Sequence, residues 1–386
     1  MSYVLPKRSI ALLPIAVIVM AGVFRFVALD RIPSGFFRDE ADKGYGAFCL
    51  LKTGADAQGR SWPLFISSLS IYTTPLYQYL LIPAVACFGL SEYVVRSPAA
   101  LAGMLTVAFV FLLVRRWMGF WAAIVASFLL AVSPWHLPFS RWANQGILLP
   151  CFLTIFMLVR EKSRERRLWV FGSCLALTGA LYSYEPAKVL VPLLLAGLVL
   201  HDLFRRDSRD LKSDGILIGV LALSALPMLL FHLSHAEMSN ARFSSISVFR
   251  GYEGDLLGVT VQIVRNFLEH VSPKYLFISG DANLRHSVAS MGQLYLTECI
   301  ALALACFAVI REKRREDVIC IIWFVAAIFP ASLTNEGIPH SLRTIGAVVP
   351  LTLLSARGFG VMIDYAASKG LSSKVGKGTL ALLVAT

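Results

Sequence analysis

Ten continuous runs of apolar residues, each roughly 15–20 long, constrain this chain more than any other feature. They lie near 10–29, 97–114, 119–133, 146–159, 168–182, 187–204, 215–233, 294–310, 318–333 and 344–363, and a further run begins at about 378. The runs are unbroken blocks, not alternating or 3.6-period patterns. In hydrocarbon a segment like this satisfies its own backbone hydrogen bonds only as a helix. With 57% hydrophobic and 16% charged residues and a mean hydropathy of +0.68, the chain reads as an all-α polytopic membrane protein. The net charge of +12 sits in short loops, and no basic patch carries a nucleic-acid motif. Nucleic acid is therefore not an expected partner; the lipid bilayer is.

The N-terminal run is the first place where a span has to be told from a targeting segment. Lys7-Arg8 precede the apolar stretch Ile10 to Leu29, as in a signal peptide. The stretch is longer than a usual signal core and no A-x-A site follows it, so it reads as the first span. The chain reads as one transmembrane domain over 1–386. The run that starts near 378 is either a last helix cut short or the beginning of more chain. The seven cysteines show no ligand spacing and most lie inside apolar blocks, so they read as small core residues.

Charge sets the expected topology. One set of connections is short and basic: Arg115-Arg116, Arg160 to Arg167, Arg205 to Lys212, Arg311 to Arg315, and Lys369 to Lys377. The other set is longer and rich in Trp, Tyr, His, Pro and Asn. The positive-inside rule places the basic set and the N-terminus in the cytoplasm, which puts the other loops on the far face. Residues 75–90 are apolar enough to cross, but crossing would invert every later loop. They are expected to form a helix lying in the outer interface, with Tyr77 and Tyr79 at headgroup level. Residues 30–96 then make one outer-face subdomain, and 234–293 a second long outer loop.

The outer loops carry the chemistry-bearing residues. Loop one holds Arg38-Asp39-Glu40, followed by a short helix whose expected apolar face is Ala41, Tyr45 and Phe48 and whose expected end is Thr53-Gly54. Asp39 is expected to cap this helix and pair with Lys43. The same position suits a general base, and the two roles are compatible. Loop two runs from Ser133 to Gln145, with Trp135 and Trp142 expected in the aromatic belt; Arg141 either meets a phosphate or snorkels to headgroups. In loop three Lys188 stands one turn inside an apolar span, where it needs an anionic partner, either Glu185 or a ligand. The last two loops add Arg285-His286 and the segment Asn335-Glu336-Gly337-Ile338-Pro339-His340-Ser341-Leu342-Arg343, where Pro339 is expected to open a helix with His340 and Arg343 on one face. Carboxylates (Asp39, Glu40, Glu185, Glu336), imidazoles (His286, His340) and cations (Arg96, Arg141, Lys188, Arg285, Arg343) together suit transfer from a lipid-linked phosphate. The cations would neutralise the departing phosphate and a carboxylate would deprotonate the attacking hydroxyl.

Ordered pieces along nearly the whole chain resemble the GT-C superfamily of polyprenyl-phosphate-sugar glycosyltransferases, in its family-39, protein-mannosyltransferase and aminoarabinose-transferase branch. They are Phe37-Arg38-Asp39-Glu40 with Tyr45, Leu51 to Asp56, Thr74-Pro75-Leu76-Tyr77 with Tyr79-Leu80, Phe88-Gly89, Val95 to Leu101, Arg285-His286 with Gly292 to Tyr295, and Pro339 to Arg343. The resemblance implies a GT-C helical bundle with its active site on the non-cytoplasmic side. It implies Asp39 as base, with the sugar passing from a polyprenyl-phosphate donor to a hydroxyl on a protein, lipid or glycan acceptor, with inversion. Relatives often carry an acid in the second outer loop, where this chain has Asn144-Gln145. Some relatives bind a divalent metal; His286, His340 and a glutamate are the candidate ligands here, and no other cofactor is implied. The alternative class is a transporter or flippase for a lipid-linked sugar, or a ligase joining such a sugar to an acceptor. No internal repeat of the transporter kind is evident.

Overall fold

The computed structural model describes residues 7–68, 71–206, 208–235, 243–250, 254–288 and 291–368. Ten helices fall on the ten apolar runs: α1 (Lys7–Phe26), α4 (Glu92–Trp117), α5 (Phe120–Val132), α7 (Leu148–Ser163), α8 (Trp169–Leu181), α9 (Ala187–Arg205), α10 (Ser208–Ser234), α12 (Leu296–Glu312), α13 (Arg315–Ser332) and α14 (Val348–Ser368). Between them lie α2 (Arg38–Thr53), α3 (Leu76–Phe88), the one-turn α6 (His136–Phe139) and α11 (Leu256–His270). A two-stranded antiparallel hairpin, β1 (Ile66–Ser68) with β2 (Ile71–Thr73), is the sheet among the described residues. Among the described residues, four helices are long and apolar enough to cross a membrane: Glu92–Trp117, Ala187–Arg205, Leu211–Ser234 and Ile345–Tyr365. The run near 378 lies outside the described residues.

One continuous core joins the helices, running from α1 and α4 through α5, α7, α8 and α9 to α13 and α14. Lipid tails are as apolar as leucine, so close packing has to hold such a bundle together. Gly358 on α14 shows how close: a Cβ there would sit 1.7 Å from the Ala301 carbonyl oxygen of α12.

The bundle has two chemically distinct ends. At one end the basic connections tie to each other. Arg160 of α7 pairs with Asp202 of α9 and, at 2.9 Å, with Asp214 of α10; Arg315 reaches Glu161 at 2.8 Å and Arg357 reaches Glu312 at 2.6 Å. At the other end the aromatic-rich loops interlock. Trp135 Nε1 donates to Ser341 O (3.0 Å), Thr74 Oγ1 to Ser183 O (3.2 Å) and Tyr295 Oη to Val132 O (2.7 Å). The two sets of loops that charge separates in the sequence are the two sets that the fold gathers.

Two arginines reciprocally cap helices at this second end. Arg25, the basic residue in the last turn of α1, donates to Leu130 O and Ala131 O at the end of α5, and to His136 Nδ1 at 3.0 Å. Arg141, beyond α5, donates back to Phe24 O, Val27 O and Ala28 O at the end of α1, and to Ile32 O. The terminal carbonyls of each helix lack partners within their own helix, and a fully buried guanidinium from the other supplies them at Arg25.

Several local expectations change on folding. α2 does end at Gly54, which takes the left-handed conformation (φ 69°). Its buried face, however, is Glu40, Gly44, Ala47 and Leu50, while Tyr45 is exposed. Small residues at 44 and 47 let α2 lie close against its neighbours, and Tyr45 turns outward. Tyr77 is buried, with Oη donating to Val95 O at 2.9 Å, and does not sit at the bilayer surface. Trp135 and Trp142 are buried in loop packing, not exposed in a belt. Pro339 does not open a helix: 341–344 form turns, and a short 3₁₀ segment, Ile345–Ala347, leads into α14.

The α12–α14 contact gives a paired prediction. Gly358→Val should lower stability by about 3 kcal/mol or prevent folding. Gly360→Ala, where a Cβ meets nothing within 4 Å, should shift the unfolding temperature by no more than a degree or so, since surface changes of this kind stay within about 0.5 kcal/mol. Thermal unfolding in detergent checks both.

Candidate functional site

The site begins at the first turn of α2, where two neighbouring acids take opposite roles. Glu40 is 1% exposed. Its Oε1 accepts from Arg96 Nε (2.9 Å) and Ala143 N (2.8 Å), and its Oε2 from Arg96 Nη2 (3.0 Å) and Phe37 N (3.1 Å). Those bonds occupy the carboxylate, so Glu40 is a structural anchor, not the catalytic partner expected for it. It also caps α2 by reaching back to Phe37, the task assigned from sequence to Asp39. Asp39 is half-buried, and among the described residues its carboxylate makes no hydrogen bond or ion pair. Lys43 reaches the backbone oxygen of Asp39 (3.2 Å) and not its side chain.

Three of the five cations proposed for phosphate are committed to the protein. Arg96 is fully buried, and besides Glu40 it donates to Leu29 O (2.9 Å), Pro33 O (3.1 Å) and Gly35 O (2.6 Å). All five guanidinium donors are thereby used. Arg141 is spent on the end of α1, as described above. Arg343 donates to Thr334 Oγ1 (2.9 Å), Glu336 O (2.6 Å) and Glu336 Oε2 (2.7 Å), which closes the 334–343 loop and takes up Glu336 as well. In each case the guanidinium takes up loop groups, backbone carbonyls for Arg141 and a mixture of carbonyls and side-chain oxygens for Arg96 and Arg343.

Arg285 and Lys188 are different. Arg285 is exposed, and its guanidinium lies 4.5 Å over the Phe37 ring, two residues from Asp39. Lys188 pairs with Glu185, donates to His232 Nε2 (2.9 Å) and lies 5.4 Å from the centre of the Phe65 ring.

The loop carrying Arg285 is held by Asp281, which sequence reasoning did not select. Its Oδ2 accepts from Ser341 N (2.8 Å) and Ser341 Oγ (2.9 Å), and its Oδ1 from Asn283 N (2.8 Å). Burial opposes its charge, but the adjacent His286 ring and these donors outweigh burial and hold the carboxyl at about 2. His286 Nδ1 lies 3.3 Å from Asp281 Oδ2, and its ring stacks against Trp142 (centroids 6.3 Å apart) and His340 (4.7 Å). Burial, and then the charge of Arg343, bring His340 down to about 3. Burial likewise brings His270 down to about 4. His270 Nδ1 donates to Asn266 O (2.7 Å), so its Nε2 accepts from His340 N (3.0 Å). At neutral pH Asp281 is ionised, and the imidazoles of His270 and His340 are neutral. Ligating atoms of Asp281, His286 and His340 lie within 4.8 Å of one another, close enough to hold a divalent cation through one oxygen and two nitrogens. The local signal for Asp281 was the turn sequence Asp281-Ala282-Asn283, but its partner Ser341 is sixty residues away in the chain.

The fold thus brings Asp39, Arg285, His286 and His340 to one end of the bundle through the chain Glu40–Ala143, Trp142–His286 and Phe37–Arg285. Glu185 and Lys188 sit at the same end beside β1 and the end of α10, in a second cluster.

Arg96→Met should strand the Glu40 carboxylate in the interior and cost about 3–5 kcal/mol. Arg96→Met combined with Glu40→Met should recover part of that loss. The comparison of unfolding temperatures in detergent reads the coupling directly.

The family model described as dolichyl-phosphate-mannose-protein mannosyltransferase matches residues 73–233. Comparison with curated proteins finds no match. Among solved structures, ArnT from Cupriavidus metallidurans bound to undecaprenyl phosphate is similar with a TM-score of 0.60 at 17% identity, covering 92% of this chain and 61% of that one. The archaeal oligosaccharyltransferase AglB from Archaeoglobus fulgidus, in complex with an inhibitory peptide and a dolichol-phosphate, has a TM-score of 0.61 at 14% identity, covering 98% and 54%. The same organism's oligosaccharyltransferase in complex with Zn and sulfate has a TM-score of 0.58 at 14% identity, covering 97% and 52%. This chain spans about half to three fifths of the length of these structures. At such identities the likeness is one of fold, and it bears out the GT-C architecture read from the sequence.

Proposed function

From the fold of a GT-C membrane glycosyltransferase, we propose that this chain transfers a sugar from a polyprenyl-phosphate donor to an acceptor hydroxyl, with Asp39 as general base. One observation carries the reading. Of the two acids that open α2, Glu40 is consumed by four hydrogen bonds while the Asp39 carboxylate has none among the described residues. A rigid anchor beside an unoccupied carboxylate is what proton abstraction at a fixed place requires.

The chemistry then follows in one displacement. Asp39 takes the proton of the acceptor hydroxyl as its oxygen bonds to the anomeric carbon. The bond from that carbon to the phosphate oxygen breaks on the opposite side, so the anomeric configuration inverts. The departing polyprenyl phosphate gains negative charge. Arg285, exposed on the ring of Phe37 two residues before Asp39, and Lys188 are the cations proposed to meet it. The bilayer holds the lipid tail and so reduces the entropy lost when donor and acceptor meet. The short basic loops support a cytoplasmic position for their own end under the positive-inside rule, and with it a non-cytoplasmic position for Asp39. ArnT and AglB, bound to undecaprenyl phosphate and to a dolichol-phosphate respectively, support a lipid-phosphate donor.

Purified protein offered a panel of polyprenyl-phosphate sugars should consume at least one in the presence of acceptor; consumption of none would overturn the proposal. Asp39→Asn should reduce transfer by about 10²–10⁴-fold with the unfolding temperature unchanged. A transporter would keep moving substrate in that variant. Arg285→Ala should raise donor KM by about tenfold, the worth of a charge-assisted contact of about 1.5 kcal/mol, and leave acceptor KM unchanged.

A further inference from the structure

The Lys188 cluster contains a histidine that the proposed mechanism does not use. His232 stands on the last turn of α10, facing the first turn of α9. Its Nδ1 lies 2.8 Å from Met228 O. A carbonyl oxygen only accepts, so Nδ1 carries the ring proton and Nε2 presents a lone pair. That lone pair receives the Lys188 ammonium at 2.9 Å. The ring cannot swing freely, because it stands edge-on to Phe65 with centroids 5.5 Å apart and lies beside Phe231. The helix backbone thus sets the tautomer, the tautomer supplies an acceptor, and the acceptor aims the ammonium.

We propose that His232 is a positioning residue for Lys188: as a neutral acceptor it holds the ammonium where a donor phosphate meets it, and protonation of His232 releases it. The proposal rests on the reading of Lys188 as a phosphate contact. A protonated His232 would turn an N–H toward an ammonium 2.9 Å away and add a second positive charge. Lys188 would then keep only Glu185, whose Oε2 already pairs with it and whose Oε1 is buried without a hydrogen bond. Among the described residues, the other titratable and charged groups around the ring are His235, stacked on Phe231 at 4.5 Å, and, across the β-hairpin, Tyr72 with the Arg60 guanidinium 5.1 Å over its ring. From α8, the Tyr182 hydroxyl is turned away to Ser224 O at 2.8 Å. Lys188 and Glu185 are therefore the groups that answer directly to the charge on His232. A glutamine at 232 can still accept from Lys188 but has no proton to gain, and this separates positioning from mere packing.

The test uses the full chain in lipid nanodiscs, with undecaprenyl phosphate as the binding probe between pH 5.5 and 7.5. Wild-type affinity should fall about tenfold toward pH 5.5, as loss of one charge-assisted bond requires. His232→Gln should bind within about threefold of wild type at pH 7.5 and lose less affinity than wild type toward pH 5.5, keeping only the loss due to the probe's own second phosphate ionisation near about 6. With a donor sugar that the enzyme consumes, His232→Leu should raise donor KM about tenfold at pH 7.5 with kcat nearly unchanged. Identical acid limbs in wild type and His232→Gln would overturn the proposal. A parallel measurement separates it from the functional reading: acetylation of Lys188, followed by mass spectrometry, should change rate in His232→Leu with no lipid present. An unchanged rate would overturn the positioning role. A changed rate with unchanged lipid binding would overturn Lys188 as a phosphate contact and leave the His232–Lys188 clamp standing.

Discussion

The buried pair of Glu40 and Arg96 is the interaction on which the working end of this protein depends. Loop one is a long segment that must leave the bundle after α1 and dock back on α4. Arg96 on α4 gathers the carbonyls of Leu29, Pro33 and Gly35, and Glu40 answers with the backbone of Phe37 and Ala143. Two charges out of water are a heavy cost unless every lone pair and proton is met. Here they are met, by backbone groups that the loop would otherwise leave unsatisfied. The pair therefore fixes the loop more than it adds to stability. It also fixes the backbone of the preceding residue, so the Asp39 carboxylate is held beside a rigid anchor without being used up.

The same economy recurs wherever a helix ends near this site. Arg25 and Arg141 exchange helix termini between α1 and α5, and Asp281 binds the Ser341 backbone and side chain across two loops. Each long-range tie joins a charged side chain to backbone groups or hydroxyls. These ties join four separate connections into one floor, against which Arg285 and His286 rest by ring contacts. The opposite end is built on another rule, with side-chain ion pairs such as Arg160 with Asp202 and Asp214. At the first end, among the described residues, the Asp39 carboxylate makes no hydrogen bond or ion pair and Arg285 is exposed over the ring of Phe37.

How much of this was legible in the sequence follows the range of the forces involved. The ten apolar runs are local signals, and each is a helix. Gly54 as the end of α2 is equally local, a left-handed position one residue past the last turn. The apolar face of α2 was misplaced because small residues, not large ones, mark its contact; Tyr45 turns outward while Gly44 and Ala47 go inward. Trp135 and Trp142 looked like interface residues because nothing local announces that Ser341 and His286 are waiting for them. Arg96, Arg141 and Arg343 have the composition of a phosphate site and the geometry of loop fasteners. Asp281 and His232 went unselected for the converse reason: one sits in an ordinary turn and the other ends an apolar helix, and only folding brings Ser341 and Lys188 to them.

The proposed transfer requires the lipid phosphate to bind at the end that holds Asp39 and Arg285, not at the arginine-rich end. A cryo-EM map of the full chain with undecaprenyl phosphate in a nanodisc measures this directly. The account predicts phosphate density within hydrogen-bonding reach of the Arg285 guanidinium, on the Asp39 side of the bundle. Density beside Arg160 and Arg315, with the Asp39 region unaltered, would contradict it.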